Sequence, residues 1–116
     1  AFGKVHCLVN VAGFTERGTI LSTTMDNYEN CFNVNTKAPF ILMQDSIKIM
    51  IRENIKGNIV NVLSMAMHSG MPFLAAYSAS KAALATSFIC DSLRMFPGFN
   101  LKPSTPASIA ASASLY

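Results

Sequence analysis

The sequence predicts an α/β fold, a partial doubly wound parallel sheet in the order βαβα. Two short, β-branched apolar runs, residues 5–9 and 59–64, each lead into a polar or Gly-containing segment, as parallel strands entering ligand-side loops do. Between them, residues 25–53 carry apolar positions at helical spacing and are long enough for the crossover that parallel strands need. Apolar residues make up 51% of the 116 and charged residues 13%, which excludes a disordered chain and suits strands covered on both faces.

Taken in order, residues 5–9 form the first strand, closed by Asn10-Val11-Ala12-Gly13, and residues 14–22 read as a polar loop. Thr23, with Asp26 three residues later, resembles a capping box that opens a helix. In the long stretch that follows, Phe40, Met43, Ile47 and Ile51 make one apolar stripe, expected to pack on the sheet. Asn33, Asn35 and Pro39 interrupt it, and proline is tolerated only in a helix's first turn, so two helices are expected to meet near Asn35. Gly57-Asn58 is a turn into the second strand, residues 59–64. Residues 65–75, with Gly70 and Pro72, form a loop, and a helix rich in Ala and Ser follows over residues 76–94. After Phe96-Pro97-Gly98 the composition turns to Ser, Ala, Pro and Thr without an apolar period. Residues 1–95 therefore read as a domain core and 96–116 as a disordered tail.

The net charge of +3 comes from nine scattered Lys and Arg with no basic run, giving no support to a nucleic-acid partner. Cys7, Cys31 and Cys90 are spaced for neither a disulfide framework nor a metal site, and are expected to be reduced thiols of a cytoplasmic protein. No apolar stretch reaches the roughly 18 residues of a membrane span, and no secretory signal opens the chain. The opening Ala1-Phe2-Gly3-Lys4 lacks an initiator Met and leads almost at once into a strand, like a piece begun inside a domain.

The chemistry concentrates in Ser64, Tyr77 and Lys81. Tyr77 and Lys81 are four apart on an expected helix, which puts their side chains on one face. Ser64 ends a strand, and the carboxyl ends of parallel strands surround the ligand crevice of such sheets. A phenol, an ammonium and a hydroxyl there suit proton transfer to a carbonyl oxygen. A free tyrosine titrates near pH 10, so about 4 kcal/mol must come from its surroundings for it to act near neutrality. An ammonium about 4 Å away supplies roughly that much at an effective dielectric of 20, and only about 1 kcal/mol in water.

Tyr77-Ser78-Ala79-Ser80-Lys81 resembles the Tyr-x-x-x-Lys signature of the short-chain dehydrogenases/reductases, with Ser64 at that family's usual spacing, thirteen residues earlier. Leu8-Val9-Asn10-Val11-Ala12-Gly13 resembles its Asn-Asn-Ala-Gly turn. Phe32-Asn33-Val34-Asn35 resembles the segment with its active-site Asn, and residues 57–64 the strand that delivers its Ser. The resemblance covers residues 1 to about 93 and implies a Rossmann-like fold and an NAD(P)-dependent oxidoreductase that interconverts a carbonyl and a secondary alcohol. It makes Tyr77 the general acid/base and has Lys81 lower the Tyr77 pKa and hold the nicotinamide ribose. Ser64 would bind the reacting oxygen and Asn35 anchor a relay water. Asn10, Ala12 and Gly13, with Tyr77 and Lys81, would line the cofactor site, and the helix at residues 40–51 would join a subunit interface of a homo-oligomer.

The sequence also departs from the family. The Gly-rich phosphate-binding turn has no counterpart among the six glycines, so the choice between NAD and NADP is not written in these residues. Val11 replaces the turn's second Asn, Leu63 the first Ser of the usual pair, and His6 stands where relatives often carry Asp. The family's next strand and its Pro-Gly substrate loop do not follow residue 93, and two strands alone make a marginal sheet. The alternative reading is an inactive truncated member that acts as an interaction partner of a full-length relative or has no function.

Overall fold

The computed structural model describes residues 3–89, 99–102 and 110–115. Strand β1 (Cys7–Asn10) leads through a long loop to helix α1 (Met25–Phe32), which continues through one π-helical turn (Asn33–Lys37) into α2 (Ala38–Arg52). Strand β2 (Asn58–Val62), a short helix α3 (Ala66–Ser69) and helix α4 (Ala75–Ile89) follow, then strands β3 (Phe99–Lys102) and β4 (Ala110–Leu115).

Cys7 to Asn10 pair in parallel with Asn58 to Asn61, the strand–helix–strand unit the sequence predicts. Alternation along β2 sets its two faces. Ile59, Asn61 and Leu63 are buried while Val60 and Val62 are half-buried. Ile59 and Leu63 join Met43 and Met50 of α2 and Leu84 and Ala85 of α4 in one core cluster. Burying the Ile, Leu and Met side chains among them is worth about 1.5–3 kcal/mol each. Cover on both faces, expected from composition, is not found among the described residues: Val9 is 52% exposed.

Three local expectations are corrected. The cap of α1 is Thr24, whose extended backbone turns its hydroxyl toward Asn27 N–H at 3.2 Å. Thr23 is occupied elsewhere, donating its hydroxyl to Thr19 O at 2.7 Å. The two helices expected to meet near Asn35 are one continuous helical path with a π turn. Pro39 has no N–H for the Asn35 carbonyl and its ring crowds it, so the turn widens to a bond from Ala38 N–H to Asn33 O. On α2 the buried positions are Pro39, Met43, Ser46 and Met50, whereas Phe40 and Ile51 of the expected stripe are exposed.

The tail read as disordered also differs. Ala110–Leu115 pairs antiparallel with β2 and with β3, giving the sheet order β1-β2-β4-β3. An open sheet edge offers backbone donors and acceptors to any extended segment. The expected helix end near residue 94 and the boundary at residues 95–96 lie outside the described residues. Among the described residues Cys7 and Cys31 are free thiols, and no helix is long and apolar enough to cross a membrane.

Candidate active site

Parallel pairing in register brings the turn after β1 and the residues after β2 to the same edge of the sheet. Ser64 leaves β2 half-buried. Its Oγ accepts from Ala66 N–H at 3.3 Å and its carbonyl from Met67 N–H at 3.2 Å, so it starts the turn of α3. Its own O–H is left to donate. The loop into α4 passes through Phe73 at φ 64°, a left-handed conformation costly for a bulky residue, and Phe73 O accepts from Gly18 N–H at 2.9 Å. That bond ties the loop after β1 to the start of α4, which carries Tyr77 in its first turn and Lys81 one turn on.

Lys81 is 3% exposed, and its Nζ donates to Val62 O at 3.1 Å. The ion pairs among the described residues are Lys48–Asp45 and Arg52–Glu53, so no carboxylate accompanies the buried ammonium. Burial without a counter-charge lowers its pKa below the ordinary lysine value. Two of its three N–H donors remain uncommitted among the described bonds. A methyl group placed on Gly13 would stand 3.6 Å from Lys81 Nζ and 3.8 Å from Asn35 Oδ1, so Gly13, Lys81 and Asn35 meet at one point.

Asn35 is fully buried in the π turn. Its Oδ1 accepts from Phe14 N–H at 2.8 Å, while Nδ2 donates to Phe14 O at 2.8 Å and to Ser80 Oγ at 2.9 Å. The side-chain amide thus serves Phe14 as a neighbouring strand would, and both of its N–H bonds are taken. Asn10 faces across the sheet, where its Nδ2 donates to Asn61 Oδ1 at 2.7 Å. Asn61 Nδ2 in turn donates to Met43 Sδ at 3.2 Å. Ala12 lines a largely apolar pocket of about 430 Å³ between the β1 end and Asn33, Val34, Ala38 and Leu42.

The structure therefore brings Gly13, Asn35 and Lys81 together. Among the described residues no hydrogen bond joins the Ser64 hydroxyl, the Tyr77 phenol and Lys81 directly. Sequence reasoning missed Ser80 and Thr36. Ser80 Oγ donates to Tyr77 O at 2.8 Å, and Thr36 Oγ1 donates to Ser80 O at 2.8 Å. The sequence offered only a small polar residue next to Asn35 and another next to Lys81; the fold is what brings them face to face.

The family model described as short chain dehydrogenase matches residues 1–92. Carbonyl reductase [NADPH] 2 of Sus scrofa is 40% identical over 82 residues, covering 71% of this chain and 34% of that protein. Acetoin dehydrogenase from Enterobacter cloacae superposes with a TM-score of 0.72 at 31% identity, covering 81% of this chain and 38% of that one. A 4-hydroxyisoleucine dehydrogenase complexed with NADH gives 0.69 at 36%, covering 77% and 38%. The chain spans about a third of the length of the curated relatives first matched. With the matched model covering most of the chain and the fold shared with these enzymes, this chain belongs to the short chain dehydrogenase family.

Proposed function

We propose that the protein carrying this chain is an NAD(P)-dependent oxidoreductase that interconverts a carbonyl and a secondary alcohol, with Ser64, Tyr77 and Lys81 as the reacting side chains. The observation that carries this reading is the buried Lys81 ammonium, which has no carboxylate partner among the described residues and sits one helical turn from Tyr77, beside a turn kept clear of side chain at Gly13.

That donor set fits the hydroxyl-rich nicotinamide ribose of a dinucleotide. The uncommitted Lys81 N–H bonds would hold ribose oxygens, with Gly13 leaving the space beside Lys81 Nζ free of side chain. The residues here fit only that half, because no Gly-rich phosphate turn is among them. A bound nicotinamide supplies or accepts the hydride.

The chain's own residues handle the proton. Tyr77 gives its phenolic proton to the carbonyl oxygen in reduction and recovers it in oxidation. The Lys81 ammonium stabilises the phenolate that remains. Ser64 donates its free O–H to the same substrate oxygen and shares the charge that develops there. Asn35 acts by position: its side chain holds the backbone at Phe14, and its carbonyl, which Pro39 cannot serve, is the acceptor through which a relay water would be held.

Fluorescence titration with NADH and with NADPH tests the assignment and reads the preference between them. Saturable binding that is lost in Lys81→Met, with circular dichroism showing the fold kept, supports it. Equal binding by Lys81→Met overturns it.

A further inference from the structure

Two hydrogen bonds link the π turn to α4, and they differ in what they hold. One runs from Thr36 Oγ1 to Ser80 O at 2.8 Å and ends on the helix backbone. The other passes through the Ser80 hydroxyl, which accepts from Asn35 Nδ2 at 2.9 Å and donates to Tyr77 O at 2.8 Å. A serine hydroxyl has one hydrogen, so the direction of this relay is fixed, from the Asn35 amide through Ser80 to the Tyr77 carbonyl. Ser80 and Asn35 are both 0% exposed, so no water can replace either bond without opening the packing. At its other end Asn35 grips both backbone groups of Phe14, the residue after Gly13. The loop at the end of β1 is thereby linked, by side chains alone, to the peptide that carries the Tyr77 phenol.

We propose that Ser80 is a positioning residue for the proton-transfer step: its hydroxyl locks the Tyr77 peptide to Asn35 and so fixes the phenol relative to the loop that faces Lys81. The assignment rests on the oxidoreductase reading above. Ser80 touches neither substrate nor cofactor. Removing its hydroxyl leaves one buried Asn35 N–H without an acceptor and lets the first turn of α4 shift, which misaligns a proton donor more than it weakens binding.

The test compares Ser80→Ala with Thr36→Val in the full protein. Thr36→Val removes the neighbouring bond but leaves the relay intact. Ser80→Ala is expected to lower kcat by on the order of tenfold with KM within about twofold, and to speed exchange of the Asn35 side-chain amide protons, read by NMR without cofactor. Thr36→Val is expected to lower the melting temperature comparably while leaving kcat and that exchange near wild type. Equal losses of kcat in the two variants, or wild-type kcat and exchange in Ser80→Ala, would overturn the proposal. Should Ser80→Ala fail to fold, Ser80→Cys keeps the shape with a weak donor and is expected to give an intermediate kcat at unchanged KM; wild-type kcat there counts against the relay. Activity retained by Tyr77→Phe would instead refute the functional reading, leaving amide exchange to judge the relay by itself.

Discussion

Replacing Asn35 with Ala removes the one side chain that satisfies both backbone groups of Phe14. Three bonds are lost, at 2.8, 2.8 and 2.9 Å, but they do not count equally. Ser80 Oγ keeps its bond to Tyr77 O, so its loss is the smallest. Phe14 N–H and C=O are left in a part-buried site where the remaining contact among the described residues is the long one from Cys31 Sγ to Phe14 O, at 3.8 Å. An orphaned buried polar group costs about 1–3 kcal/mol, and partial solvent access brings two such groups to about 2–4 kcal/mol in total. Against the 5–15 kcal/mol that holds an ordinary domain folded, that is a large share. The assay is urea unfolding followed by circular dichroism, where a lower midpoint at constant slope isolates the stability change. A loss under about 0.5 kcal/mol at unchanged slope would refute the reasoning, because it would mean that water reaches Phe14 freely.

Three further perturbations bear on the account. Burial holds the Lys81 ammonium below the ordinary lysine value of 10.5, so between its folded value and 10.5 the unfolded chain binds more protons and stability rises with pH. Urea midpoints at about pH 7 and about pH 9.5 should show that rise in wild type, and Lys81→Met should lack it; parallel curves would contradict the burial argument. In Gly57→Ala the new methyl would stand 2.6 Å from Met50 Cε and 3.0 Å from His6 O. The Met tip can move and the carbonyl cannot, so a loss of about 1–3 kcal/mol is expected in thermal melts. Truncation after residue 95 strips β4 from the edge of β2 and should produce concentration-dependent light scattering; a monodisperse product would show that the edge needs no cover.

Much of this was legible in the sequence because it depends on short-range pattern. The β1–β2 pair follows from two apolar runs and a crossover, and Tyr77 and Lys81 share a face because helices repeat every 3.6 residues. The orientation of α2 was not legible. Its residues Phe40, Ile41, Leu42, Met43, Ile49, Met50 and Ile51 are apolar nearly all round, so the pattern selects no single face, and Pro39 with Ser46 took buried places. The π turn escaped notice because proline signals an interruption without saying whether the helix ends or widens. Strands β3 and β4 were missed for another reason: their pairing rests on backbone groups at a sheet edge, which no side-chain period records. In the site, Lys81 and Asn35 were singled out from the sequence, whereas the Ser80 relay depends on two elements facing each other across 45 residues of chain.

The central claim is that Tyr77 transfers the proton in carbonyl reduction, and it is tested most directly by following NADH and NADPH oxidation with a panel of ketones and aldehydes in wild type and Tyr77→Phe. The account predicts turnover in wild type and a loss of about 10²-fold or more in Tyr77→Phe, with the melting temperature unchanged. Wild-type turnover by Tyr77→Phe, or no turnover by a folded wild type that binds both nucleotides, would contradict it.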